Sequence, residues 1–185
     1  MPKLVIRQCD GGKKGELCRE ITEKAFQNFF SYGVERIADA CNTKRKSLIA
    51  AWQAKNPEAA MDEYDLSIPY RRGIEEITPP FMLKEPESVE VYLLEGSRSE
   101  VHPYAPMDIT DISANEDFTS LRVNIYLDLI KYSGGNVRVP AARESVEELV
   151  YHELLHACGD VQYYGILRHN LIGIASVNEL LRNKV

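Results

Sequence analysis

No stretch of this sequence stays apolar for the roughly 20 residues needed to cross a bilayer. The opening Met1-Pro2-Lys3-Leu4-Val5-Ile6-Arg7-Gln8 holds three consecutive apolar residues before it turns polar, too few for the apolar segment of a secretory leader. Cysteine is sparse. Cys9, Cys18, Cys41 and Cys158 are scattered, form no C-x-x-C pair, and read as reduced thiols of a cytoplasmic protein rather than as a disulfide framework. Excess positive charge is missing too. With 22 Lys and Arg against 28 Asp and Glu, the net charge of −6 argues against nucleic acid or an anionic membrane as the main partner. A phosphate-cradling loop is absent, because Gly11-Gly12-Lys13-Lys14-Gly15 lacks the G-x-x-x-x-G-K-[ST] spacing.

What remains is an ordinary globular composition, 44% hydrophobic and 27% charged, in a 185-residue chain that suits one domain with its own core. Leu4-Val5-Ile6 reads as a short strand closed by Asp10-Gly11-Gly12. Leu17, Ile21, Ala25, Phe26 and Phe29 recur at helical spacing over about 15–30, Gly33 interrupts them, and a second helical stretch runs from Val34 to about Lys55. Lys44-Arg45-Lys46 within it reads as a solvated face. Pro57, Pro69, Pro79, Pro80 and Pro86 make 56–87 loop-like, and 97–119 is again polar and proline-containing. Between these loops, Val89–Leu94 is rich in strand formers. The clearest strand is 121–130, where apolar residues alternate with polar ones, as a sheet with one buried face requires.

The chemistry sits near the C-terminus. Ser145 followed by Glu148 is a capping-box signature, so a helix is expected from there to Gly159. Val146, Val150, Leu154, Ala157 and Cys158 form its apolar stripe, with Leu149 and Leu155 outside it, which describes a buried helix. Inside that apolar surface stand His152, Glu153 and His156, the pattern H-E-x-x-H. Residues four apart on a helix lie about 40° apart in rotation and about 6 Å apart in rise, so two imidazoles so placed can converge on one divalent cation. Zinc would polarise a carbonyl and acidify a water there, and Glu153 would act as general base. Cys158, two residues past His156, points away from the imidazoles and reads as a buried structural thiol.

The stretch 145–160 resembles the zincin metallopeptidases. That resemblance implies an α+β fold: a small twisted, mostly antiparallel or mixed sheet, N-terminal helices, and the H-E-x-x-H helix packed on the sheet. It also implies that an edge strand holds a peptide substrate antiparallel by strand addition. The strand 121–130 is the candidate for that edge, within a catalytic core at 88–185 that follows the helical portion 1–55.

Catalytic zinc takes three protein ligands and keeps one open position. Metzincins place their third ligand where this sequence has Gln162, which argues against that branch although Gly159 fits its glycine. Ser176-Val177-Asn178-Glu179-Leu180-Leu181-Arg182-Asn183 resembles the thermolysin-type N-E-x-x-x-D helix of the gluzincins, with Glu179 in the ligand position and Asn183 in place of the aspartate. The layout is also similar to zincin domains of antirestriction proteins. Ser176 and Glu179 form a second capping box as well. Asp160, just past the helix-ending glycine, and His169 are the other candidate ligands. His169 or Tyr163, with its neighbour Tyr164, could instead steady an oxyanion.

The sequence therefore predicts a zinc-dependent peptidase acting on a peptide or protein. The alternative is a zincin-fold binding or regulatory module that keeps the metal site without hydrolysis.

Overall fold

The computed structural model describes residues 1–8, 11–55, 57, 83–96, 105–111, 120–158, 162–163, 166–167 and 178–182. They form an α+β arrangement around a four-stranded mixed sheet. The first strand, β1 (Lys3–Gln8), leads into two long helices, α1 (Gly12–Tyr32) and α2 (Val34–Lys55). Gly33 separates the helices with φ 101°, a conformation that side chains with a Cβ rarely adopt. Three strands follow: β2 (Ser88–Leu94), β3 (Met107–Asp111) and β4 (Ser120–Tyr126). The sheet order is β1-β2-β4-β3. The first three are mutually parallel, and β3 runs antiparallel to β4.

Two expectations change here. The strand expected at 121–130 is an interior strand: β4 has β2 on one side and β3 on the other, and it ends at Tyr126 in a 3-10 turn, Leu127–Leu129. The sheet edge on that side is β3, inside the stretch 97–119 that reads as a proline-containing loop. Its alternation, Met107-Asp108-Ile109-Thr110-Asp111, was hidden by its shortness and its polar flanks.

One sheet face is apolar. Val89, Val91 and Leu93 of β2, Val123 and Ile125 of β4, and Met107 of β3 are each at most 4% exposed. They join a single core with Cys18, Ala25, Phe26 and Phe29 of α1 and Val34, Ile37 and Cys41 at the start of α2. The same core includes Val146, Val150 and Leu154 of the next helix, α3 (Val146–Ala157). Phe29 stacks on Tyr151 with ring centroids 6.4 Å apart, and Tyr151 donates its hydroxyl to Glu147 at 2.7 Å while accepting from Asn28. These contacts clamp α1 to α3.

Between β4 and α3 lies a small hairpin, β5 (Lys131–Ser133) and β6 (Asn136–Arg138). Its two-residue turn, Gly134-Gly135, has φ 59° and 80°, the positive pair that a tight hairpin twist demands. Two further short strands, β7 (Gln162–Tyr163) and β8 (Ile166–Leu167), pair antiparallel. A last helical turn occupies 178–182. Among the described residues no helix is long and apolar enough to cross a membrane.

Candidate metal centre

Helix α3 begins where the sequence says it should. Ser145 Oγ accepts the Glu148 backbone N–H at 3.1 Å, satisfying one of the amides that a helix start leaves open. The reciprocal half of the capping box is not made. Glu148 turns instead to Arg182, whose Nε lies 2.9 Å from its Oε1 and whose Nη2 also reaches that oxygen. This exposed pair contributes little energy, but it ties the turn at 178–182 to the first turn of α3.

Two turns of α3 carry the histidines. His152 is half-buried and His156 is 6% exposed. Their Nε2 atoms stand 2.8 Å apart, with ring centroids at 4.6 Å and the rings edge to face. Two nitrogens bound to one tetrahedral zinc at about 2.0–2.1 Å each lie about 3.3 Å apart, so this pair would need to open by roughly half an ångström to take the ion. In the metal-free chain the same approach allows one imidazole to donate to the other.

Glu153 is 7% exposed. Burial is the main reason its carboxyl is pushed up to about 8, and the negative charge of Asp108 adds to the effect. Asp108, on β3, is itself held by two donors: Asn124 Nδ2 at 2.8 Å and the Tyr126 hydroxyl at 2.8 Å. Asn124 accepts from Arg122 Nε at 2.7 Å, and the Arg122 guanidinium lies over the Tyr92 ring at 3.6 Å. Burial raises the Tyr126 phenol well above its usual range, and its hydrogen bond to Asp108 and the nearby Glu153 charge act in the same direction. A chain of polar groups thus crosses the second sheet face from Tyr92 to Asp108 and ends near the buried glutamate.

None of Asp108, Asn124 and Tyr126 stands out in the sequence. Asn124 and Tyr126 occupy the polar phase of β4's alternation, which reads as solvent-facing, yet they are 3% and 5% exposed. Their burial follows from the sheet order, which a sequence pattern does not encode.

The other expected site residues divide clearly. Glu179 is exposed on the turn at 178–182. Among the described residues no third His, Cys, Asp or Glu joins the two imidazoles in a cluster able to hold a metal ion. Asp160, His169 and the side chain of Tyr163 lie outside the described residues. Cys158 is 2% exposed, and burial pushes its thiol far up, as suits a packing residue. The donor set fits zinc so far as it goes: two converging imidazoles with a buried carboxylate beside them.

No model of a known protein family matches the chain, and no curated protein and no solved structure matches it.

Proposed function

We propose that this protein is a zinc-dependent hydrolase of the zincin type, a peptidase, with His152 and His156 as two of its metal ligands and Glu153 as its general base. The observation that carries the reading is the 2.8 Å approach of two imidazole nitrogens on a buried helix, one residue from a buried carboxylate. Zinc bound there would supply the Lewis acidity that polarises a scissile carbonyl and eases deprotonation of water. Glu153 takes the proton from the attacking water and returns it to the departing amine. The third ligand is to be found among Asp160, His169 and Glu179.

Strand β3 takes the substrate-holding role in this reading. It is the sheet edge, antiparallel to β4, and carries the Asp108 that faces the glutamate electrostatically. An extended peptide added alongside would meet backbone donors and acceptors in register, whatever its side chains.

The test uses the purified full chain, its zinc content, and hydrolysis of a mixed peptide pool read by mass spectrometry. Wild type is expected to bind about one zinc and to cleave, and Glu153→Gln to keep the zinc while losing at least ~10³-fold in rate, the scale general acid–base catalysis supplies with electrostatics. Equal cleavage by the variant, or a wild type without zinc, would remove the enzyme. One observation favours the non-hydrolytic binding module: Glu179 stands exposed, apart from the histidines. Zinc retained with no cleavage of any peptide would select that reading.

A further inference from the structure

Alternation along β4 places Arg122, Asn124 and Tyr126 on the sheet face opposite the apolar one. The strand registers extend that row across the sheet: Asn124 lies beside Tyr92 of β2, and Tyr92 lies beside Arg7 of β1. Two cations therefore meet one aromatic ring. The Arg122 guanidinium is 3.6 Å from the centre of Tyr92, and that of Arg7 is 6.0 Å from it. The ring attracts each cation without cancelling its charge.

Neither charge has a carboxylate to meet. Among the described residues no ion pair involves Arg7 or Arg122. Glu90 stands opposite Arg122 in the register of β2 and β4, yet its Oε2 accepts the Tyr92 hydroxyl at 3.2 Å instead. Asp108 is reached only through Asn124, which accepts from Arg122 Nε at 2.7 Å and donates to Asp108 at 2.8 Å. The Nε bond fixes the plane of the Arg122 guanidinium, and its Nη groups have no acceptor among the described residues. Like charges near one ring, one of them half-buried, are costly without a counter-ion.

The chemistry of that counter-ion follows from the site. On this face of the strands Lys3, Arg7 and Arg122 stand against Glu90 and Asp108, which leaves one net positive charge. A singly charged group neutralises it, whereas a doubly charged one would also meet the nearby carboxylates. The flat pair of Nη groups matches the two oxygens of a carboxylate in a bidentate bond. Arg7 is exposed, and Tyr92 and Arg122 are half-buried, so a ligand reaches the group from solvent.

We infer that Arg122 and Arg7, together with Tyr92, form a binding site for a carboxylate, supplied by an acidic peptide or by a free organic acid. The Nη edge of Arg122 takes the two oxygens, and Arg7 adds the second positive charge. The histidines have no part in it, so the site stands whether or not the chain binds zinc.

The backbone amide signals of Tyr92 and Asn124, followed by NMR in the full chain at constant ionic strength, test this. Acetate is expected to shift them saturably with a Kd on the order of 1–10 mM, the strength of a few charge-assisted hydrogen bonds in water. Arg122→Gln is expected to weaken binding at least ~10-fold, and Arg7→Gln at least ~3-fold. Arg122→Lys keeps the charge without the flat edge and should fall between wild type and Arg122→Gln. A blocked alanine peptide with one central Asp separates the sources. Tighter binding than acetate assigns the site to peptides, and equal or weaker binding assigns it to free acids. Any one of four results overturns the inference: no saturable shift below ~100 mM acetate, affinity unchanged in Arg122→Gln, sulfate bound more tightly than acetate, or an Asn peptide bound as well as the Asp one. Should Arg122→Gln fail to fold, the exposed Arg7→Gln decides: a threefold loss supports the site, and unchanged affinity removes it.

Discussion

Replacing Glu153 by Gln probes how the fold holds its carboxyl, with no need of metal or substrate. In the metal-free chain Glu153 is buried, and its carboxyl moves from the ordinary 4.5 up to about 8. Below pH 4.5 the folded and unfolded chains both carry the proton, and the stabilising preference for the neutral group is fully present. Between 4.5 and 8 the folded chain keeps a proton that the unfolded chain releases, so stability falls as pH rises. Above 8 that contribution is gone. At 1.36 kcal/mol per pH unit, the whole displacement sets an upper bound on the order of 5 kcal/mol. Gln is neutral at every pH and mimics the protonated acid, so the variant should escape the decline. With urea unfolding near ~2 kcal/mol per molar, the wild-type midpoint should drop by about 1–2 M relative to Glu153→Gln between about pH 5 and about pH 9, in chelator-treated protein. Midpoints that keep the same spacing at both pH values would refute the reasoning, because a carboxyl that pays no penalty for ionising is not held away from solvent.

Three further outcomes are expected. Asp108→Ala leaves Asn124 and Tyr126 as buried donors without their acceptor and should cost about 2–4 kcal/mol in urea unfolding; an unchanged midpoint would show that the polar chain is not closed as described. Phe29→Ala opens a cavity at the α1–α3 clamp, where Phe29 is 0% exposed, and should cost about 3–5 kcal/mol, against about 1 kcal/mol for Ser145→Ala at the start of α3. Cys18, Cys41 and Cys158 are each at most 2% exposed, and burial pushes the Cys18 thiol up to about 11. A chromogenic thiol reagent at neutral pH should therefore find at most one fast thiol per native chain and all four in denaturant; two or more fast native thiols would contradict the packing.

Helix α3 was legible except at its end, expected at Gly159 and found at Ala157. Its start at Ser145, its burial and the convergence of His152 and His156 follow from spacing and capping, which are local properties of a helix. The same holds for α1 and α2, whose boundaries at Gly33 and Val34 come from a glycine that side-chain sterics single out. Strand positions were legible where alternation was long, as in β2 and β4, and illegible in the five-residue β3, where two periods of alternation are indistinguishable from a polar loop.

What no local pattern contains is the order of strands. Alternation says that β4 has an inside and an outside; it does not say that β2 and β3 flank it, that β3 is the edge, or that the polar phase of β4 is covered. Those depend on pairings between residues far apart in the chain, whose energies arise only on assembly. The exposure of Glu179 has the same origin: Asn178 and Glu179 both suit one helical turn, and only its packing, with Leu181 in the main core and Arg182 on Glu148, leaves Asn178 buried and Glu179 in solvent.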